Sequence, residues 1–369
     1  MSAVLFRFEP RGERSTLWVY GSPVLAILLT IVSTGIIFAA MGQPPARAVY
    51  TFLVEPLVGP SGISALLVKA SPLIMMGAGL SVCYRANVWN IGCEGQFTLG
   101  AIFAGGLAIA MPDASFWFLF PAMILFGCLG GMFWAGIVAW LRTRFNANEI
   151  LTSLMLTYVA QLLLIYLVTG PWRDPKGFGF PQTALFSDSA TAPILFAHTN
   201  IHLGCLFAPL LAIAAWLVLS KSTLGFQLRV VGQAPRAARF GGFSEARLIW
   251  IALLISGGLA GLAGMFEVSG AIGQLTTTIS PGYGFTAVIV AFLGRLHPVG
   301  AIFAGLLLAL SYLGGNSAQI DLGMPNAVTG IFQGILLFYL LGCDILILYR
   351  LKRTGTQAQT AKLAEGAAE

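Results

Sequence analysis

Apolar runs long enough to cross a bilayer recur between residues 17 and 348, and nothing else in the chain limits its fold so strongly. A helix needs about 20 predominantly apolar residues to traverse a ~30 Å hydrocarbon core. Inside lipid every backbone N–H and C=O must be satisfied within the protein, so only helices and closed barrels can span. A barrel would alternate in segments of ~10 residues, whereas these runs are continuous. The expectation is an all-α polytopic membrane protein. At 57% hydrophobic and 9% charged residues, the chain lies far from a soluble domain, which carries about 25% charge. Residues 17–41 are too long for a signal-peptide core and lack a cleavage site, so they read as a retained span.

Net charge is +6, from 20 basic and 14 acidic residues, and its distribution argues against nucleic-acid binding. Arg7, Arg11 and Arg14, then Arg142 and Arg144, then Lys221, Arg229, Arg236, Arg239 and Arg247 fall between or beyond spans. So do Arg295 and the group Arg350, Lys352, Arg353 and Lys362, all on alternate crossings. Lysine and arginine collect in cytoplasmic loops, so both termini are expected inside. Cys83, Cys93, Cys128, Cys205 and Cys343 are scattered with no C-x-x-C pair, which indicates neither a metal site nor a disulfide framework.

About ten spans follow: 17–41, 63–82, 97–111, 116–141, 150–170, 203–220, 248–266, 285–294, 299–314 and 326–348. Residues 1–16 form a cytoplasmic tail, 17–348 the transmembrane domain, and 349–369 a cytoplasmic tail expected to be disordered. An external segment at 46–61 has room for a short surface helix, 171–202 is the long external loop, and 315–325 is external. The spans 97–111 and 285–294 are too short to cross alone. Each follows a polar, glycine-rich stretch, 83–96 and 267–284, part of which must lie at membrane depth. Non-helical backbone is tolerated there only inside protein or along a watery cavity. The hexapeptide GAIFAG occurs at 100–105 and 300–305, too little to establish a repeat.

The longest polar interruption of the second half is residues 221–247, with five basic residues against one acid, Glu245. Pro235 suits the first position of a helix, Ala237 and Ala238 propagate it, and Gly241-Gly242 ends it. A short basic helix on the cytoplasmic surface is expected, of a kind suited to being gripped by a partner.

Discontinuous helices near the midplane are how carriers present polar groups to a solute. Trp89, Asn90, Glu94, Gln96 and Tyr283, in or beside the two broken stretches, are therefore candidates for a pathway or substrate contact. Tight packing through small residues is the plainer alternative. Ionisable residues in apolar surroundings default to functional hypotheses; here they are Lys69, Glu94, Glu149, Glu267 and Asp344. Glu149, Glu267 and Asp344 sit near expected helix ends, where solvated or capping roles are favoured. For Glu94 a structural hydrogen-bonding anchor is favoured over solute contact. No catalytic residues are evident. His198, His202 and His297 lie in loops, no H-E-x-x-H occurs, and no G-x-x-x-x-G-K-[ST] could cradle nucleotide phosphates. ATP-driven transport would need hydrolysis in another subunit.

Asn90-Ile91-Gly92-Cys93-Glu94-Gly95-Gln96 resembles the N-I-G-x-E-G-Q signature of bacterial ABC importer permeases of the nucleoside and simple-sugar group, in the superfamily of ribose and branched-chain amino acid permeases. Ordered matches continue through Asn148-Glu149-Ile150, Gly170-Pro171-Trp172-Arg173-Asp174-Pro175 and Arg229-Val230-Val231-Gly232-Gln233-Ala234-Pro235. They extend through Ser256-Gly257-Gly258-Leu259-Ala260-Gly261 to Ser280-Pro281-Gly282-Tyr283-Gly284-Phe285 and Leu293-Gly294-Arg295-Leu296-His297-Pro298. Cys93, Phe240 and Phe243 depart from common family residues.

This resemblance implies a location in the bacterial inner membrane and four kinds of partner. They are a second homologous permease forming a heterodimer, a cytoplasmic ATPase using ATP and magnesium, an extracytoplasmic substrate-binding lipoprotein, and membrane lipid. No cofactor or metal is implied in this chain, and no nucleic acid. Residues 225–241 fall where the family places its ATPase-coupling helix, which assigns coupling roles to Gly225, Arg229, Gly232, Gln233, Ala234, Pro235, Arg236, Ala237, Ala238, Arg239 and Gly241. The expected solute is a nucleoside, with purine nucleosides favoured and Trp89 or Tyr283 as candidate stacking partners for the base. A sugar or amino acid permease is the alternative, and a standalone secondary carrier stands further off.

Overall fold

A computed structural model describes residues 6–10, 16–325 and 327–353. Among these, nine helices are long and apolar enough to cross a membrane, and a tenth apolar helix, Tyr283–Leu293, is shorter. The chain divides into two compact units, one of residues 1–49 with 330–369 and the other of residues 50–329.

The first unit holds α1 (Thr16–Ala40) and most of α13 (Ala327–Leu348). Polar contacts join these helices. Ser22 donates to Asp344 at 2.9 Å, and Ser33 and Tyr339 share a 2.8 Å hydroxyl contact. The same unit corrects the expected tails. Phe6–Pro10 (β1) pairs antiparallel with Tyr349–Arg353 (β2), setting Glu9 opposite Arg350. Residues 349–353 are therefore a strand rather than the start of a disordered tail. The reason is the partner strand, since a five-residue segment gains sheet hydrogen bonds only when another supplies the complementary edge. Residues 354–369, also expected to be disordered, lie outside the described residues.

The second unit is built from α3 (Gly59–Arg85), α4 (Cys93–Ala110), α5 (Phe116–Phe145), α6 (Glu149–Thr169), α7 (Leu203–Lys221), α10 (Glu245–Phe266), α11 (Tyr283–Leu293) and α12 (Pro298–Leu322). Shorter helices are α2 (Pro45–Leu53), in the expected external segment, and α8 (Thr223–Gln233) and α9 (Pro235–Phe240), in the basic loop. Helices α4, α5 and α10 meet through glycines. A Cβ on Gly131 would lie 2.0 Å from the Gly257 carbonyl oxygen, and one on Gly261 would lie 2.2 Å from that of Gly127. With no hydrophobic force between helices in lipid, such close backbone approach is what gains van der Waals contact.

Three expectations change here. Helix α12 continues to Leu322, so it does not stop at 314 as expected and residues 315–322 are helical. Gly314 and Gly315 do not end it, because they are contact points: a Cβ on Gly314 would strike the Phe52 carbonyl oxygen and one on Gly315 the Thr329 hydroxyl. Helix α3 runs on to Arg85 and α4 begins at Cys93, so only residues 86–92 of the stretch 83–96 are non-helical. In the second polar stretch, Glu267–Ile272 forms a π-helical turn continuing α10, and 273–282 are irregular.

One end of the second unit gathers the basic residues. Arg85 donates from Nε to the Leu296 carbonyl at 2.8 Å, and Arg142 pairs with Glu149 at 3.4 Å. The turn between α11 and α12 holds Arg295 and Leu296 at φ of 61° and 51°, a left-handed pair that reverses the chain in four residues. At the opposite end the long loop lies over the irregular stretch, with the Thr183 and Leu275 backbones hydrogen-bonded at 3.0 Å.

Candidate functional site

The two broken stretches meet, and the meeting point is the N-terminus of α11. A helix beginning inside a protein exposes backbone N–H groups that need acceptors and carries partial positive charge. Ser280 Oγ accepts from the Gly282 and Tyr283 N–H groups at 3.1 and 2.9 Å, and Glu94 Oε2 accepts from Gly284 N–H. Gly284 has no space for a side chain, since a Cβ there would lie 2.3 Å from the Glu94 nitrogen. Trp89 packs on the other end of α11, its ring 6.1 Å from that of Phe292 and 5.1 Å from that of Tyr84. From Gly284 to Phe292 α11 rises about 12 Å, so the short run from Trp89 to Glu94 climbs most of the half-helix.

That climb is held by a clasp of amides. Asn90 Nδ2 donates to Gln96 Oε1 at 2.9 Å and to Ser256 Oγ at 3.0 Å. Its Oδ1 accepts from Gln96 Nε2 at 3.0 Å and from Gly92 N–H at 3.1 Å. Both side chains are wholly buried. The pairing gives each a partner in kind, as buried amides require, and fastens the non-helical segment to the first turn of α4 and to α10.

Tyr283 is also fully buried, its ring edge-on to Phe97 and Tyr312 at 6.1 and 5.4 Å. Its hydroxyl belongs to a cluster that sequence reasoning did not assemble. Lys69 Nζ donates to it at 2.6 Å and lies 3.6 Å from Glu267 Oε1. Glu267, expected at a solvated helix end, is 3% exposed. The π-helical turn carries the chain onward from α10 and keeps this carboxylate inside the protein, where Lys69 from α3 neutralises it. Glu149 likewise stands at the start of α6 yet is buried, paired with Arg142.

Beside the start of α11 a polar crevice is lined by Glu94, Thr98, Thr157, Gln161, Thr278 and Ser280, among others. Its volume is about 20 Å³, room for about one water, and apart from Glu94 its polar groups are hydroxyls and an amide. Thr157 and Gln161 were missed from sequence. The signal was present, because Ser153, Thr157 and Gln161 recur every fourth residue on the otherwise apolar α6 and so share a face.

The basic loop folds into two helices rather than one. Helix α8 packs inward through Leu228 and Val231, while Gly232 lies so close to the Arg85 carbonyl that a Cβ would fall 2.2 Å away. Arg229 Nε reaches back to the Gly225 carbonyl at 3.2 Å. Helix α9 starts at Pro235 and stops at Gly241-Gly242, where Gly242 takes a φ of 78°. Only Ala238 of this helix is buried, whereas Gln233, Ala234, Pro235, Arg236, Ala237, Arg239 and Gly241 are exposed. Arg239 pairs with Glu245 at 2.7 Å. Phe240 is 94% exposed, an aromatic ring left in solvent beside two arginines.

Apolar helices packed through glycine, a short helix capped inside the protein and a small helix standing off one end define a polytopic helical membrane protein. The chain belongs to the family described as the permease component of branched-chain amino acid transport systems, whose profile matches residues 62–341. It is an ABC transporter permease and a multi-pass protein of the cytoplasmic membrane. It is 36% identical to the glucose ABC transporter permease protein TsgB13 of Haloferax volcanii, over 94% of this chain and 93% of that one. It is 30% identical to the guanosine ABC transporter permease protein NupP of Bacillus subtilis, over 86% and 91%. With the nucleoside ABC transporter permease protein NupB of Lactococcus lactis the identity is 25%, over 86% and 89%.

Proposed function

We propose that this chain is the membrane permease subunit of an ATP-driven importer of nucleosides, purine nucleosides above all. The observation that supports the reading is the polar lining beside the half-helix, where Thr98, Thr157, Gln161, Thr278 and Ser280 gather and the carboxylate of Glu94 is engaged by backbone. At about 20 Å³ the crevice has room for about one water in this conformation, so a nucleoside enters only when the helices around it part. Such a lining suits a neutral solute rich in hydroxyl and ring-nitrogen groups. Trp89 and Tyr283 have their rings packed against other aromatics, so recognition rests on hydrogen bonds rather than stacking. The guanosine and nucleoside permeases among the relatives support this solute class.

In this reading a second, homologous permease completes the pathway and a substrate-binding lipoprotein delivers the solute. A cytoplasmic ATPase, with ATP and magnesium, drives the cycle. Helix α9 is the part the ATPase grips. Its exposed Arg236, Arg239 and Phe240 form the contact, and α8 passes the motion to α3 through Gly232 and Arg85. Nucleotide and solute then bias the same two-state element.

A hexose permease is the second reading, favoured by the 36% identity to the Haloferax glucose protein. Uptake of labelled guanosine and glucose decides between them, in cells lacking their own routes for both and expressing this chain with its neighbouring transport genes. Guanosine uptake that unlabelled adenosine abolishes and glucose leaves intact is the expected result. Glucose uptake without guanosine uptake selects the second reading. Transport by the purified chain in vesicles free of any ATPase would overturn both.

A further inference from the structure

Between α5 and α10, with α4 contributing Phe103, runs a groove of about 620 Å³ walled by Leu129, Phe133, Trp140, Trp250 and Leu254. Its lining is almost wholly apolar. Gly136 leaves the floor open, since a Cβ there would meet only ordinary contacts with Trp250 and Leu254 at 3.6 and 3.9 Å. Trp250 Nε1 donates to Thr143 Oγ1 at 3.1 Å, which fixes the indole at the groove's end and ties the two helices together there.

One turn beyond the tryptophans stand two arginines. Arg144 follows Trp140 by four residues on α5, and Arg247 precedes Trp250 by three on α10, so each shares its helix face with a groove tryptophan. Both are exposed, and among the described residues neither has an acidic partner. Arg142, by contrast, is committed to Glu149. Tryptophan marks the membrane–water interface, and basic pockets between spans on the cytoplasmic side receive anionic headgroups.

We propose that this groove seats an anionic phospholipid of the cytoplasmic leaflet, with acyl chain against Phe133, Trp140 and Trp250 and phosphate between Arg144 and Arg247. The charge decides the occupant. An apolar partner helix would gain nothing from two unpaired arginines at the groove's mouth, whereas an anionic headgroup answers both.

The test uses the full-length chain in phosphatidylcholine vesicles containing a small fraction of lipid brominated on its acyl chains, reading quenching of tryptophan fluorescence. Brominated phosphatidylglycerol is expected to quench more than brominated phosphatidylcholine, with an apparent preference on the order of tenfold for two arginines. The preference should disappear in R144Q/R247Q and persist in R144K/R247K. Gly136→Leu, which fills the groove without a backbone clash, should abolish it with the arginines intact. Equal quenching by the two lipids, as a groove covered by a second copy would give, overturns the proposal. So does a preference that survives in R144Q/R247Q.

Discussion

Glu94 and Gly284 lie 190 residues apart in sequence, yet the carboxylate of one caps the backbone N–H of the other. This bond joins the two broken stretches, because it sets the first turn of α4 against the first turn of α11. An anionic acceptor at a helix N-terminus is stabilised both by the hydrogen bond and by the helix dipole. The close approach leaves no side-chain space at Gly284, so the pair is specified from both sides.

Removing the carboxylate should therefore loosen the half-helix. Glu94→Ala is expected to cost about 1–2 kcal/mol, read as a lower melting temperature by thermal size-exclusion chromatography in detergent. Glu94→Gln, which keeps an acceptor but no charge, should lose less. Equal melting of wild type and Glu94→Ala would contradict the capping role.

Lys69 and Glu267 should show unequal single-site effects. Lys69→Met strands a buried carboxylate and is expected to cost about 3 kcal/mol. Glu267→Gln should be milder, because the Lys69 side chain is 33% exposed and can recruit water. Replacing both should recover most of the loss. A double-mutant cycle on thermal stability checks this, and strictly additive effects would contradict the pairing.

His202 supplies the pH dependence. It precedes α7, accepting at Nδ1 from Gly204 N–H at 3.2 Å, and is 1% exposed. Burial lowers its pKa from 6.5 to about 4, so the folded protein holds it neutral. Its stabilising contribution is full above pH 6.5 and is lost as the pH falls from there toward 4, where the folded form also binds the proton. The loss amounts to roughly 3 kcal/mol. Melting temperature should decline over that window, and His202→Asn should flatten the decline, since asparagine still caps the helix.

Much of the molecule is legible from residue pattern. Continuous apolar runs give the spans, and the shortness of 285–294 exposes the half-helix, because ten residues cannot cross a bilayer. Pro235 and Gly241-Gly242 bound α9 closely, since both act through local backbone geometry. What resists reading depends on distant partners. Gly314-Gly315 looks like a helix end and is a packing contact, as the Phe52 backbone it meets lies far back in the chain. Glu267 looks like a solvated terminus until Lys69 is brought to it. The strand at Tyr349–Arg353 has no meaning without Phe6–Pro10. Helix α8 was hidden because its apolar residues, Leu228 and Val231, are too few to stand out in a basic loop.

Helix α9, proposed as the part an ATPase grips, is probed by the coupling of uptake to hydrolysis in the reconstituted transporter. Phe240 is 94% exposed and Arg236 is exposed beside it, so neither Phe240→Asp nor Arg236→Glu should disturb the fold. Solute uptake and ATP hydrolysis are measured together in vesicles holding the complete system. Uptake is expected to fall on the order of tenfold or more, as loss of a hot-spot anchor costs about 2 kcal/mol or more, while ATPase activity persists without stimulation by solute. Uptake and solute-stimulated hydrolysis at wild-type levels in the combined variant would contradict it.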